Sequence, residues 1–316
     1  MHLLCPQNWN DYELIDSGNF EKLERFGNYF LIRTEPQAVW DKKLSLKEWE
    51  QQAHVKFIAE SSSSGSWKKL KSMPGQWQIG YQIASPPTPL RKGEGSKQGE
   101  ANNNETLNFK LSLTSFKHIG IFPEQAVNWD YIYETIKNIQ NKKDNVTVLN
   151  LFAYTGGASL AAKAAGADVV HLDSVKQVVS WARTNMELST LKDIRWVVED
   201  AMTFVKREVK RGKKYNGIIL DPPAYGRGTD GEKWKLEDNI NEMMKNVAQL
   251  LDEKENFLIL NTYSLGFSSM IIENLLYDVF RAKINLETGE LFLKAKTGTK
   301  LPLGVFGRFR TTEGKI

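Results

Sequence analysis

Residues 148–159, with the sequence VLNLFAYTGGAS, constrain the fold more than any other segment of this chain. The segment begins with a mainly apolar run that is typical of a strand buried on both faces of a sheet. Gly156 and Gly157 then allow the backbone to turn close to a ligand. Residues 158–165 follow as a helix whose N-terminal amides point at that turn. A strand, a glycine turn and a helix in this order predict the ligand-binding edge of an α/β sheet.

Helices and strands alternate from residue 122 onward, and this alternation predicts a mostly parallel sheet covered by helices on both faces. Two further short strands are predicted near the end of the sequence. The predicted strands are residues 148–151, 168–173, 194–198, 217–220, 257–264, 290–295 and 305–310, and the predicted helices are residues 124–140, 158–165, 175–187, 202–211, 238–251 and 268–280.

Carboxylates follow the second and third of these strands. The glycine turn lacks the G-x-G-x-x-G and G-x-x-x-x-G-K-[ST] patterns, so a pyrophosphate ligand is disfavoured and a nucleoside without phosphates remains. We expect Asp173 to hold a ribose diol and Asp200 to accept a hydrogen bond from an adenine amino group. The alternative for each aspartate is a helix cap or turn former, but two in succession after a Gly-Gly turn favour a ligand.

The fourth strand ends in the sequence Asp221-Pro222-Pro223-Ala224-Tyr225. The Asp221 carboxylate and the Pro222 carbonyl present two acceptors that suit a planar NH2 group, and the prolines hold them rigidly. Tyr225 can stack on the base that carries this group. The alternatives are that the proline pair simply ends the strand and that Tyr225 is a core aromatic.

We predict that residues 1–114 form a small β-rich domain and that residues 115–316 form the α/β domain. Short alternating segments at residues 29–33, 54–58, 77–83 and 107–113 are separated by serine, glycine and proline turns. Residues 85–105 are polar and of low complexity, so we predict that they form a disordered insertion within a hairpin of the first domain.

Composition narrows the class of protein. The net charge of +4 over 316 residues is too mild to indicate nucleic-acid binding by itself, and basic clusters at residues 67–71 and 206–214 can equally be solvated surface. The single cysteine, Cys5, excludes an internal disulfide, and the four histidines have no metal-ligand spacing, so no metal is expected. Neither a signal peptide nor a membrane-spanning run is evident, so we expect a cytoplasmic protein that does not bind a membrane. The oligomeric state stays open.

The order and spacing of the four strand-end motifs resemble the class I S-adenosylmethionine-dependent methyltransferases. Within that class, residues 118–125 (HIGIFPEQ), residues 173–176 (DSVK) with 181–185 (WARTN), and residues 221–225 (DPPAY) resemble bacterial 23S ribosomal RNA base methyltransferases. The resemblance implies a Rossmann-like α/β fold with a mostly parallel sheet of seven strands, an antiparallel terminal hairpin and a small β-rich domain ahead of it. Some members also carry an RNA-binding PUA domain, and the segment before residue 115 is too short for both that domain and the β-rich one.

The resemblance further implies S-adenosyl-L-methionine as the cofactor and a flap, formed by residues 118–125, over its methionine end. The Gly156–Gly157 turn is expected to take that end through backbone groups. The residues expected to contact the cofactor are His118, Phe122, Pro123, Gln125, Asn150, Ala153, Tyr154, Thr155, Gly156, Gly157, Asp173, Ser174, Asp200, Ala201 and Asp221, and those expected to act on the acceptor are Asp221, Pro222, Pro223 and Tyr225.

This chain lacks the cysteine nucleophile of relatives that methylate carbon 5 of cytosine, and the difference narrows the type of reaction. Those relatives use a cysteine near the tip of the fourth or fifth strand, where this chain has Asp221-Pro222-Pro223 and Thr262-Tyr263-Ser264. Covalent pyrimidine methylation therefore lacks its nucleophile, which leaves a base nitrogen, most simply in ribosomal RNA. Two alternatives stay open: methylation of a small molecule or protein side chain, and a non-catalytic RNA-binding protein.

A glycine-rich segment, residues 226–235, follows the Asp-Pro-Pro motif. It contains Arg227, Lys233 and Lys235 between flexible glycines, and we predict a loop that closes over a phosphate-bearing substrate. A plain surface loop is the alternative. Trp129 and Trp181 lie at helical spacing among apolar residues and are predicted to belong to the core.

Overall fold

The computed structural model describes residues 1–61, 64–83, 105–263, 266–280 and 284–311. Its strands are β1 (His2–Leu4), β2 (Tyr12–Gly18), β3 (Glu21–Phe26), β4 (Tyr29–Thr34), β5 (Val55–Ala59), β6 (Gly65–Lys69), β7 (Gln76–Gln82), β8 (Thr106–Ser112), β9 (Thr147–Leu151), β10 (Asp168–Asp173), β11 (Ile194–Val198), β12 (Gly217–Leu220), β13 (Tyr225–Arg227), β14 (Lys233–Lys235), β15 (Asn256–Thr262), β16 (Glu287–Lys294) and β17 (Lys300–Thr311).

The α-helices are α1 (Leu46–Gln52), α2 (Ala126–Gln140), α3 (Gly157–Ala164), α4 (Lys176–Leu188), α5 (Ala201–Lys210), α6 (Leu236–Leu250) and α7 (Ser269–Phe280). A 3-10 helix, Pro123–Gln125, leads into α2, with proline in its first turn as expected from the fixed φ of that residue. Among the described residues, no helix combines the length and the apolar composition needed to cross a lipid bilayer.

The central sheet has the strand order β1-β16-β17-β15-β12-β9-β10-β11. Strands β15, β12, β9, β10 and β11 run parallel, and β17 lies antiparallel between β15 and β16. The predicted mostly parallel sheet and its closing antiparallel hairpin are therefore confirmed. One strand was not foreseen: β1, from the N-terminal region, pairs in parallel with β16 and extends the sheet at that edge.

Strand β9 is buried on both faces, as its apolar sequence predicts. Val148 belongs to the hydrophobic cluster that includes α2 and α3, whereas Leu149 and Leu151 belong to the cluster on the opposite face, with α5 and α6. The first cluster also includes residues of β7 and β8, so one apolar core joins the N-terminal region to the sheet.

The N-terminal region is rich in strands, as predicted. Strands β2 to β6 form a five-stranded sheet, on which Trp49 of helix α1 packs. Strands β7 and β8 form a separate antiparallel hairpin that is bound to α4, where the Asn185 Oδ1 atom accepts a hydrogen bond from the Lys110 amide at 2.9 Å. The domain boundary at residue 114 stays a prediction.

The predicted insertion, residues 85–105, lies almost entirely outside the described residues. The strands that flank it, β7 and β8, pair with each other, and the Ile83 amide donates to the Glu105 carbonyl at 3.0 Å. The segment therefore connects two paired strands, and its predicted disorder stays a prediction.

Candidate active site

A cavity of about 920 Å³ opens at the C-terminal ends of β9, β10, β12 and β15. Every residue that the sequence predicted for the cofactor or the acceptor lines this cavity. Parallel strands end at the same edge of a sheet, so loops that are far apart in the chain converge there. The volume lies near the upper end of the range of about 300–1,000 Å³ that is usual for ligand pockets.

The loop between β9 and α3 is held in an unusual backbone conformation. Phe152 and Tyr154 have φ angles of 55° and 48°, and Gly156 has a φ of 92°. Bulky residues rarely adopt this left-handed region, and each one costs on the order of 1–3 kcal/mol unless its surroundings fix it. At Gly157 the reason for glycine is steric, because a Cβ atom there would lie 2.6 Å from the Trp129 ring.

Asp173 fixes this loop. Its two carboxylate oxygens accept hydrogen bonds from the amides of Tyr154 and Val175, each at 2.9 Å. Burial raises the pKa of Asp173, against the opposing effect of these amides. Each carboxylate oxygen has a second lone pair, so Asp173 can also accept hydrogen bonds from a ribose diol.

Asp200 has a structural partner as well. It is the N-cap of α5, and its Oδ1 atom accepts a hydrogen bond from the Thr203 amide at 2.8 Å. The helix-cap alternative considered for this residue is thus present in the structure. It does not exclude an adenine contact, because Asp200 also lines the cavity.

A buried polar chain lies beneath the glycine turn. The Asn150 amide nitrogen donates to the Ser159 hydroxyl at 2.9 Å, and that hydroxyl lies 3.0 Å from the Nδ1 atom of His171. Burial lowers the pKa of His171 to about 3, so its ring is neutral at physiological pH. Asn150 therefore supports the first turn of α3 as well as lining the cavity.

Residues 118–125 fold back over the glycine turn, as the resemblance implied. The Thr155 hydroxyl donates to the Gly120 carbonyl at 2.7 Å, and the Phe122 ring lies 5.3 Å from the Tyr154 ring. The His118 ring lies 5.1 Å from Phe122, and burial, with the nearby cation of Arg33, lowers the pKa of His118 to about 3.

Gln125 connects this flap to the fifth parallel strand. Its Oε1 atom accepts hydrogen bonds from the amide nitrogens of Asn128, at 2.9 Å, and Asn261, at 3.2 Å. This oxygen is thus occupied by the protein, so Gln125 positions the cavity wall.

Asp221 differs from the other two aspartates. Within the described residues, no donor forms a hydrogen bond with its carboxylate. The side chain is half-buried, and burial raises the pKa of Asp221 to about 6. Its acceptors therefore remain available to a ligand in the cavity.

The segment after Asp221 is fixed by a side chain that sequence reasoning missed. The Trp234 indole nitrogen donates to the Pro223 carbonyl at 2.7 Å, and its ring packs 4.8 Å from the Phe152 ring. Trp234 lies in β14, which pairs with β13, so part of the predicted glycine-rich loop is a hairpin.

This hairpin also reaches the nucleoside end of the cavity. The Ser174 hydroxyl donates to the Arg227 carbonyl at 3.2 Å, and the space beside Gly228 is so narrow that a Cβ atom there would lie 3.0 Å from Asp200. The Tyr225 side chain is 59% exposed, which rules out the core alternative for this residue and leaves its ring accessible at the cavity.

A second wall of the cavity comes from the N-terminal region and was also missed. Its buried ion pairs join Lys22 to Glu35 at 3.2 Å and Arg33 to Glu24 at 2.6 Å. The Tyr263 hydroxyl, just beyond β15, donates to Glu35 at 2.6 Å. The charged residues of β3 are typical of a strand that faces solvent, so their position at a cavity could not be foreseen from the sequence.

Both predicted core tryptophans are largely buried. Trp129 is 3% exposed and stacks near Phe109, with ring centroids 5.1 Å apart, yet it also borders the cavity. Trp181 is partly buried, and its indole nitrogen donates to the Lys110 carbonyl at 2.8 Å. Cys5 lies elsewhere, at a smaller cavity of about 380 Å³, and is not part of the candidate active site.

These residues fit S-adenosylmethionine. A strained glycine turn brings backbone amides to the cavity, two carboxylates stand at the tips of neighbouring strands, and a third carboxylate without a hydrogen-bond partner among the described residues faces the same space. The first two carboxylates can accept further hydrogen bonds from hydroxyl and amino groups of such a ligand.

Comparisons with known proteins agree with this geometry. A solved structure of an S-adenosylmethionine-dependent methyltransferase from Agrobacterium tumefaciens superposes with a TM-score of 0.83 at 33% identity, over 98% of this chain and 93% of that one. The ribosomal RNA large subunit methyltransferase K/L of Shewanella frigidimarina is 30% identical over 157 residues, which are 48% of this chain and 21% of that protein. A putative ribosomal RNA large subunit methyltransferase of Methanocaldococcus jannaschii is 30% identical over 171 residues, which are 51% of this chain and 40% of that protein.

The chain thus matches only about a fifth to two fifths of the length of these two ribosomal RNA enzymes. The family described as S-adenosylmethionine-dependent methyltransferase matches residues 89–274, more than half of the chain. This match and the agreement with the Agrobacterium structure over nearly the full length of both proteins show the family, its enzymatic activity and its cofactor. The chain belongs to the S-adenosylmethionine-dependent methyltransferases.

Proposed function

We propose that this enzyme methylates a nitrogen of a base in ribosomal RNA. The observation that carries the proposal is the Asp221 carboxylate, which lines the cavity and has no hydrogen-bond donor among the described residues. A half-buried acceptor without a protein partner is only partly solvated, so it is suited to a ligand that brings its own donors. An exocyclic amino group brings two.

The sulfonium of the bound cofactor supplies an activated methyl group, so the protein has mainly to align the acceptor and exclude water. In our proposal, Asp173 and Asp200 hold the adenosine part of the cofactor. Asp221 and the Pro222 carbonyl orient the acceptor amine, and Tyr225 stacks on its ring. With a pKa of about 6, Asp221 can also accept the proton that the amine loses on methylation.

Ribosomal RNA as the acceptor is supported by the names of the two ribosomal RNA relatives, which this chain resembles over about half of its length. The exposed ring of Tyr225 supports an unpaired base, because base recognition in RNA commonly uses aromatic stacking on unstacked nucleotides.

The test is transfer of tritiated methyl groups from labelled cofactor to ribosomal RNA from a strain that lacks this enzyme. We expect Asp221→Ala to lower the transfer rate by at least about 10²-fold, because proton transfer and alignment are both lost. Its affinity for S-adenosylhomocysteine should change far less. Asp230→Ala is the matched control, since Asp230 is exposed and lies outside the cavity lining.

Two outcomes would contradict the proposal. Full activity in Asp221→Ala would remove the amine-positioning role, and the absence of transfer from the wild-type enzyme to any RNA would favour a small-molecule or protein acceptor. Because Asp221 can take up the proton of the amine only when it is ionised, the transfer rate should also fall as the pH drops below about 6.

A further inference from the structure

Three cations border the cavity on the side of the N-terminal region: Lys22, Arg33 and Lys117. Two buried carboxylates offset two of them. Glu24 pairs with Arg33 at 2.6 Å, and Glu35 pairs with Lys22 at 3.2 Å. Lys117 takes part in none of the ion pairs of the described residues. It is held beside this network because its carbonyl accepts a hydrogen bond from Arg33 at 3.3 Å.

Lys117 is only partly exposed, and burial lowers its pKa. The buried Glu124 interacts with Lys22, Glu24 and Glu35, and because burial raises its pKa to about 7, its carboxyl is only partly ionised at neutral pH. The wall therefore carries an excess of positive charge that faces the cavity, and a desolvated cation of this kind favours an anion as its partner.

The order of the strands indicates which part of the cavity lies beside the N-terminal residues Lys22, Arg33 and Lys117. Asp200 follows β11, Asp173 ends β10, the glycine turn follows β9, and Asp221 follows β12. Tyr263 follows β15, one strand beyond Asp221, and its hydroxyl bonds Glu35. With about 4.8 Å between neighbouring strands, the Glu35–Lys22 pair lies on the acceptor side of the site, away from the adenosine end.

We propose that Lys117, set against the Lys22–Glu35 and Arg33–Glu24 pairs, binds a phosphate of the acceptor nucleotide beside the methyl-transfer site. This inference rests on the proposed function, because it takes the acceptor to be a nucleotide. It gives the N-terminal region a direct part in substrate binding. Phosphate contacts from lysine position a nucleic acid without reading its sequence, so the subsite fixes where the acceptor base enters the cavity.

The first measurement uses inorganic phosphate on the enzyme saturated with S-adenosylhomocysteine. We expect phosphate to raise the melting temperature more than chloride at equal ionic strength. Lys117→Met should abolish this difference, and Lys117→Arg should keep it because the charge is retained. Lys68→Met is the matched control, since Lys68 is exposed on β6 and lies outside the cavity lining.

The second measurement compares the affinity for S-adenosylhomocysteine with the KM for RNA. We expect Lys117→Met to leave the cofactor affinity nearly unchanged and to raise the KM for RNA roughly tenfold. The plot of log KM against log salt concentration should also become less steep, by the amount that corresponds to the loss of about one phosphate contact. The phosphate measurement needs no RNA, so failure of the proposed function and failure of this subsite are distinguishable.

Two results would overturn the proposal. One is a wild-type enzyme that phosphate stabilises no more than chloride does. The other is a Lys117→Met variant that binds S-adenosylhomocysteine much more weakly but still binds methylthioadenosine, which lacks the amino-acid end, as well as the wild type does. That pattern would assign the lysine to the cofactor carboxylate.

Discussion

The tips of β10 and β12 carry the same residue type at the same edge of the sheet, yet the structure uses them differently. Asp173, at the tip of β10, accepts two backbone hydrogen bonds and holds a loop that contains residues with positive φ. Asp221, beyond β12, accepts none from the described residues. Burial raises the pKa of both carboxyls.

In our proposal, this difference separates cofactor binding from chemistry at one edge of the sheet. A carboxylate that accepts backbone hydrogen bonds is held in place before a ligand binds, and its removal disturbs the fold. A partly buried carboxylate without a protein partner lowers the free energy of unfolding of the ligand-free protein. Residues at functional sites often lower stability in this way because activity requires them. The two tips should therefore respond in opposite directions to substitution.

The larger of these effects is expected at the tip of β10. Asp173→Ala should weaken binding of S-adenosylhomocysteine by about 1.5–3 kcal/mol, the usual value of a hydrogen bond to a charged group, and should also lower the free energy of unfolding because the amides of Tyr154 and Val175 lose their acceptor. Titration calorimetry and urea unfolding measure the two effects.

The control for this variant is Asp168→Ala, which removes an exposed carboxylate from the opposite end of the same strand. Unchanged affinity in Asp173→Ala would show that the ribose is held by other groups. A loss of stability without a loss of affinity would make Asp173 a turn former alone.

The sequence was sufficient for the sheet edge because each element there is encoded locally. An apolar run, two glycines and a strand-end carboxylate lie within a few residues of one another, so residues 148–173 could be placed without tertiary information. The hairpin of β13 and β14 was harder to predict, because the role of Trp234 depends on the hydrogen bond from its indole nitrogen to the Pro223 carbonyl, which only the folded structure shows.

The N-terminal wall could not be predicted, for a physical reason. Lys22, Glu24 and Arg33 lie on neighbouring strands in a pattern that is normal for solvated β-hairpins. The same wall is joined to the end of β15 by the hydrogen bond from Tyr263 to Glu35, two residues that are more than 200 positions apart in the chain. A tertiary contact across such a distance leaves no periodic signal in a single sequence.

A smaller effect, of opposite sign, is expected at the tip of β12. Asp221→Asn should raise the free energy of unfolding by about 1–2 kcal/mol at neutral pH, because it removes a carboxylate whose ionised form is disfavoured by burial, while it lowers methyl transfer. The folded-state pKa is raised from 3.8 to about 6, so the wild-type enzyme loses stability as the pH rises through this window.

The advantage of Asp221→Asn should therefore be full above pH 6 and should vanish below pH 3.8, where Asp221 is protonated in both states. Urea unfolding of both proteins across this range measures it. A pH-independent difference would attribute the stability change to packing, and a destabilised variant would mean that Asp221 has a partner in the folded protein.

The smallest effect is expected at Cys5, and it tests whether methyl transfer at the tip of β12 proceeds without a covalent intermediate. The Cys5 thiol lies at a separate cavity and donates a weak hydrogen bond to the Pro6 carbonyl at 3.4 Å, which a serine hydroxyl can replace. Burial also raises the pKa of Cys5, so the reactive thiolate is disfavoured. Cys5→Ser should keep the transfer rate and should change stability by less than about 0.5 kcal/mol. Loss of transfer, with an unchanged melting temperature, would restore a covalent route through the sole cysteine of the chain and would leave Asp221 without the role that its open acceptors suggest.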